Sequence, residues 1–305
     1  MRLVAAQDGN KKLDNLKQYI KKLGYDNVEV ICHGITEPAK TPVDTPYLLP
    51  VEKATRNVFG PYMVYPNRPS TAPDYLWTNI LGLPTIQVRW CDATSDNHAP
   101  NEHLTLSNYI KGTELTATVL KDMKDKKLLS DIKEYLKCYE DQVLEDWYEL
   151  IRHISVSETG EGIETCCDWI QKKMEEIGIQ VTKYSVKPAP VLVGRFGNDP
   201  EKKTVLIYAH YDVKPAGERK LWHSDPFVPT VRDGKVYARG SADNKSPLMA
   251  HLKALEYFIR RKMEVPVNVI FVFEGDEECG SRGLEEFLAE HRTELAADLV
   301  FFSDG

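Results

Sequence analysis

Four groups of acidic and imidazole side chains each fall just after an apolar, β-branched run. His210 and Asp212 follow VLIYA at 205–209, and Asp243 follows KVYARG at 235–240. Glu277 and Glu278 follow NVIFVF at 268–273, and Asp304 follows LVFF at 299–302. In open α/β sheets ligands bind outside the carboxyl ends of the strands, so these groups could converge on one crevice. A set of His, Asp and Glu with no cysteine among the ligands suits zinc, manganese or cobalt. Carboxylates brought that close repel one another, and a divalent cation relieves the repulsion. Taken singly, each residue has a plainer reading. A strand-end Asp caps or turns the chain, Glu277-Glu278 is a solvated helix start, and His210 is a hydrogen-bonded core histidine.

The elements that would position these residues show in the hydrophobic pattern. Apolar runs predict strands at 190–196, 204–209, 267–273 and 298–302, with helical periods between them at 247–262 and 282–291. Strands alternating with helices indicate an α/β fold whose mostly parallel sheet is covered on both faces. Upstream, Ile132, Tyr135, Leu136, Tyr139, Val143, Leu144, Trp147, Leu150 and Ile151 keep a 3.6-residue period, which predicts one long helix. A second helix is predicted over 161–177, stopped by Gly178, and a third over 104–123 after a strand at 84–89. The proline-rich passage before it holds one short helix candidate at 47–59. The first stretch reads as strand, helix, strand: 2–4, then 13–23 closed by Gly24, then 28–31. The lysines between 121 and 127 mark either a junction between two units or a solvated helix end.

Composition narrows the function classes. At 305 residues, 42% hydrophobic and 28% charged, the chain is globular and neither disordered nor fibrous. A net charge of -7 with no basic tract disfavours nucleic acid as a partner. No apolar run is long enough to cross a bilayer, so no membrane partner is expected. No signal peptide is recognisable at the start, and six cysteines without framework spacing read as reduced thiols; a cytoplasmic setting is expected. His103, His223 and His251 read as structural histidines. Cys279 reads as a small buried residue, and Gly160-Glu161-Gly162 is no dinucleotide fingerprint.

Four strings together carry a resemblance. YAHYDVKPAG (208–217), WHSDPFVPTVRDGKVYARGSADNK (222–245), FEGDEECGSRG (273–283) and FFSDG (301–305) closely resemble the M20 metallopeptidases. The nearest branch is that of the cytosolic nonspecific dipeptidases. RLVAAQD (2–8) resembles a lid-domain strand of that family, and 82–114, with its NHAPNE loop, resembles the family's C-terminal segment. The resemblance therefore implies a permuted order. Residues 1–39 would be a small β-α-β lid remnant and 40–305 a three-layer α/β/α catalytic domain. Within that domain 40–123 would correspond to the family's C-terminal part and 129–305 to its N-terminal part.

The resemblance also implies a site. His210, Asp243 and Asp304 would bind one divalent ion and Asp243, Glu278 and His98 another, with Asp243 bridging. Zinc is the first expectation, manganese or cobalt the next. The implied reaction is cleavage of a dipeptide or short peptide by a hydroxide shared between the two ions, with Glu277 as general base. Asp212 would fix the tautomer of His210. Arg2 would contact substrate, with Ser70 and Thr71 in the loop where the family carries glycines that are absent here. An N-acyl amino acid deacylase, or a metal-binding fragment without catalysis, are the other readings. The family's homodimer would lack most of its interface, because half of the lid is missing.

Overall fold

The computed structural model describes residues 3–4, 6–32, 35–65, 72–121 and 126–304. Its first part runs α1 (Gly9–Lys22), α2 (Leu48–Phe59), β1 (Thr85–Gln87), β2 (His103–Thr105) and α3 (Leu106–Leu120). Three helices follow: α4 (Lys126–Cys138), α5 (Glu140–Arg152) and α6 (Ile163–Ile177). Then come β3 (Gln180–Tyr184), β4 (Val191–Phe196), β5 (Thr204–His210), β6 (Thr230–Arg232) and β7 (Lys235–Tyr237). The last elements are α7 (Lys245–Arg260), β8 (Asn268–Glu274), α8 (Leu284–Glu290) and β9 (Leu299–Phe302).

Six strands form one sheet in the order β1-β9-β5-β8-β4-β3. The first four are parallel, and β4 and β3 add antiparallel at the far edge. Both faces are buried, so alternate residues of each central strand enter different cores. Ile207, Ala209, Phe271, Phe273 and Phe301 face a large core that includes residues of α2 to α7. Leu206, Tyr208, Ile270, Val272 and Phe302 face a smaller one, closed by α8 and the π-helical turn Leu76–Ile80 with Trp77. This is why β5 and β8 read as unbroken apolar runs rather than as alternating ones. The result is a mixed α/β fold with a mostly parallel sheet.

The stretch before residue 121 is woven into the same body. β1 pairs in parallel with β9, Thr85 opposite Val300. β2 pairs antiparallel with β7, which with β6 forms a separate three-stranded sheet. α3 is largely buried in the large core shared with α7.

Three expectations need correction. The predicted long helix is two, α4 and α5, parted at Tyr139, where φ is -114°. The periodicity hides the break because Tyr139 still donates to Tyr135 O and accepts from Val143 N, so both halves keep one buried face. Residues 103–105, inside or at the edge of the predicted third helix, are strand β2. The β-α-β reading of residues 1–39 keeps only its helix: Leu3, Val4 and 28–31 are irregular. A strand needs a ladder partner, and none pairs with them among the described residues; Val4 and Ile31 are 60% and 66% exposed. Gly24, at φ +81°, does follow α1 as its stop. The lysine-rich junction lies mostly outside the described residues.

His251 is structural, as expected. It is fully buried on α7 between Trp90 and Phe301, with Nδ1 2.9 Å from Thr116 Oγ1. Burial pushes its pKa down to about 3. Below its ordinary value near 6.5 the unfolded chain takes up a proton that the folded chain refuses, so stability is lost as pH falls from there toward 3. A His251→Leu variant should escape this slope, because Thr116 still donates to Gly112 O at 3.0 Å. Melting curves from pH 7 to pH 4 should show the variant gaining on wild type as pH drops. Parallel curves would mean that His251 is charged in the fold.

Candidate metal centre

The C-terminal ends of three parallel strands deliver most of the site. His210 is the last residue of β5, Glu277 and Glu278 form a single 3-10 turn just after β8, and Asp304 follows β9. Asp243 comes from the turn between β7 and α7, at a cis peptide bond with Asn244. His98 arrives on the loop between β1 and β2, which the pairing of β1 with β9 and of β2 with β7 brings alongside.

Asp243 stands between the two histidines. Its Oδ1 is 3.1 Å from His210 Nε2 and its Oδ2 is 3.1 Å from His98 Nε2. His98 Nε2 is also 3.1 Å from Glu278 Oε2, and His210 Nε2 is 3.5 Å from Asp304 Oδ1 and 3.8 Å from Glu277 Oε2. Two trios result, His98–Asp243–Glu278 and His210–Asp243–Asp304, each with ligand atoms within 4.8 Å of one another. His210 is fully buried, whereas the side chain of His98 is 48% exposed, so the cluster opens on its side.

Asp212 holds the centre from behind and is itself fully buried. Its Oδ1 is 3.3 Å from His210 Nδ1, and its backbone oxygen is 3.1 Å from the same nitrogen. Its carboxylate also accepts the backbone N–H of Glu277 at 3.1 Å and of Glu278 at 3.0 Å. One side chain thus orients an imidazole and the acidic turn together. Leaving Nε2 of His210 to face Asp243 and Asp304 is what a metal ligand requires of its outer partner.

The donor chemistry fits divalent metal. Two donor atoms about 2.1 Å from one ion stand roughly 3.1–3.4 Å apart, the spacing seen between each imidazole and its carboxylates. The hydrogen bonds from Asp243 and Glu278 raise His98 to about 10. Burial works against His210, yet Glu277, Asp212, Asp243 and Asp304 together carry it well above the ordinary imidazole range. Burial also opposes ionisation of Asp243, but the two imidazoles outweigh it and hold its pKa down. Glu277 moves the other way, pushed well up by burial against the pull of His210 and with the charges of Asp304, Asp243 and Glu278 adding.

Of the residues predicted for the site, His98, His210, Asp212, Asp243, Glu277, Glu278 and Asp304 are brought together. Arg2, Ser70 and Thr71 lie outside the described residues. Sequence reading passed over two neighbours. Lys214 donates to Glu278 O, its Nζ 3.9 Å from Glu278 Oε2; it lies inside the YAHYDVKPAG string but was given no role there. Glu102, given no role of its own within the NHAPNE string, is fully buried and bonded to the backbone of Asp243; its place four residues after His98 was the available signal. His103 packs on Tyr237 with Nε2 3.1 Å from Lys235 Nζ, away from the cluster. Among the described residues no cysteine is in a disulfide, and no helix is long and apolar enough to cross a membrane.

Residues 206–303 match the peptidase family M20/M25/M40. The Cys-Gly metallodipeptidase dug1 of Schizosaccharomyces pombe is 44% identical over 138 residues, which is 43% of this chain and 29% of that protein. The Beta-Ala-His dipeptidase of Mus musculus is 41% identical over 117 residues, 38% of this chain and 24% of that one. Among solved structures, human carnosine dipeptidase 1 superposes with a TM-score of 0.55 at 30% identity, covering 58% of this chain and 41% of its own. The chain therefore spans less than a third of the length of either curated relative.

Proposed function

We propose, from the premise that residues 206–303 are a domain of peptidase family M20, that the protein is a dinuclear metal-dependent hydrolase acting on dipeptides or short peptides. The observation that carries the reading is Asp243, whose two oxygens each lie 3.1 Å from a different histidine. The names of the two curated relatives support a dipeptide as substrate.

His98, Asp243 and Glu278 would hold one ion and His210, Asp243 and Asp304 the other, zinc before manganese or cobalt on the nitrogen and oxygen donor set. Ions bound there would supply Lewis acidity toward the scissile carbonyl and acidify a water. Glu277 would be the base, its carboxylate placed to take a proton from the attacking water and return it to the leaving amine nitrogen. Asp212 serves Glu277 by fixing the turn that carries it, and serves His210 by holding Nδ1. The half-exposed side chain of His98 marks the open side through which a substrate would enter. The permuted order of segments is part of the same proposal, since His98 comes from the stretch resembling the family's C-terminal part.

The test is metal analysis joined to hydrolysis assays on Cys-Gly and β-Ala-His dipeptides. Two equivalents of metal per chain with dipeptide turnover is the expected result. Turnover of N-acyl amino acids instead would change the substrate class, and metal binding with no turnover would leave a binding protein. Metal should also stabilise the fold, because it binds the folded cluster and relieves its crowded carboxylates. The melting temperature is expected to rise with free zinc, by the equivalent of about 2.7 kcal/mol at a hundredfold excess over Kd. A chelator that leaves the melting temperature unchanged would count against the centre.

A further inference from the structure

The loop that carries His98 holds an unfavourable backbone. Asp96, His98 and Asn101 have φ of +53°, +61° and +66°, in the left-handed region that residues with a Cβ seldom occupy. Such a loop persists only where its surroundings over-determine it. Two side chains do this. Asn101 donates from Nδ2 to Leu221 O and accepts from His223 N, both at 2.9 Å.

Glu102 makes the second attachment, and it runs straight to the other side of the cluster. Its Oε1 accepts the backbone N–H of Ala242 at 2.9 Å and of Asp243 at 3.1 Å. Its Oε2 accepts from Arg239 Nη1 at 2.6 Å, and its backbone oxygen accepts from Ala238 N at 3.0 Å. Arg239 is 1% exposed and extends the tie by donating from Nη2 to Pro215 O at 3.2 Å. A buried ion pair of this kind is weak evidence for net stability, since desolvation offsets most of the attraction. Its placement is informative: one carboxylate spans two segments more than a hundred residues apart, each of which supplies a side chain to the cluster.

We infer that Glu102 is a positioning residue of the metal centre, fixing the loop of His98 against the backbone of Asp243 so that the shared carboxylate faces both histidines. The inference rests on the metal-centre reading above, and the experiment separates the two. Cobalt(II) is titrated into metal-free full-length wild type, Glu102→Gln and the double variant Glu102→Leu/Arg239→Met, with visible d–d bands and calorimetry as readouts. The double variant removes both charges together, so no unpaired buried charge is left behind. Circular dichroism checks that each chain is folded.

Wild type is expected to bind two cobalt ions. The folded variants are expected to bind them about 10–100-fold more weakly, the usual cost of losing a residue that orients a ligand, with altered bands. Wild type that binds no cobalt would overturn the metal-centre reading and this inference with it. Wild type that binds two ions, alongside folded variants of equal affinity and unchanged bands, would overturn the inference alone. Loss of fold in both variants would make Glu102 a structural group and overturn it as well.

Discussion

Replacing His98 by alanine is expected to cost one of two metal equivalents and to bring peptide hydrolysis to background. The imidazole Nε2 is the atom that faces both Asp243 Oδ2 and Glu278 Oε2, each at 3.1 Å. Without it the first trio is reduced to two carboxylates, while His210, Asp243 and Asp304 keep their arrangement. The loss should exceed the roughly 10–100-fold in affinity or activity that follows removal of a ligand's outer partner. Because the side chain is 48% exposed, its truncation opens no core cavity, but it takes from the buried carboxylates of Asp243 and Glu278 the imidazole that faces them, so the metal-free melting temperature should also fall. Metal content measured after dialysis against a weak chelator checks the prediction. Retention of two equivalents would remove His98 from the ligand set and, with it, the permuted correspondence.

Glu277→Gln should separate the same pair of measurements, losing turnover while keeping metal. The amide preserves size and keeps the backbone N–H on Asp212 Oδ1, so both metal equivalents should remain. What is lost is a group able to take a proton from water and return it to the leaving amine. General acid–base catalysis contributes typically about 10²–10⁴-fold, and kcat should fall by that much with KM little changed. Intact turnover in the variant would mean that another group carries the proton. Loss of metal together with turnover would make Glu277 a ligand rather than the base.

Much of the site was legible because most of its side chains sit at boundaries that sequence pattern exposes. His210 ends an apolar run and Asp304 follows another, and those runs are β5 and β9. His98 differs. Nothing local links it to the rest, and only the resemblance of its loop to a family segment suggested that it belonged with Glu278. Glu102 was missed because burial of a charged residue leaves no trace in composition; only the fold shows that it faces Arg239 and the backbone of Asp243. The strands expected around α1 failed for a different reason. Val4, Val28 and Ile31 have the right residue types, but strand formation depends on a neighbour, and propensity says nothing about whether one is there. The break at Tyr139 was invisible because both helices bury the same stripe.

The pairing of β1 with β9 sets a timetable for biosynthesis. Thr85 lies opposite Val300, and His98 shares Asp243 with a trio completed by Asp304. On the ribosome the chain emerges at about 5–20 residues per second, so the roughly 200 residues that separate His98 from Asp304 take about 10–40 s to appear. For that interval β1 has no partner, although the loop of His98 can already dock through Asn101 and Glu102 on residues 221–243. Pairings so distant along the chain form slowly even once both members exist, because the loop between them must close first. Nascent chains are therefore most exposed to misassembly and to proteolysis around β1, before β9 arrives to seat it.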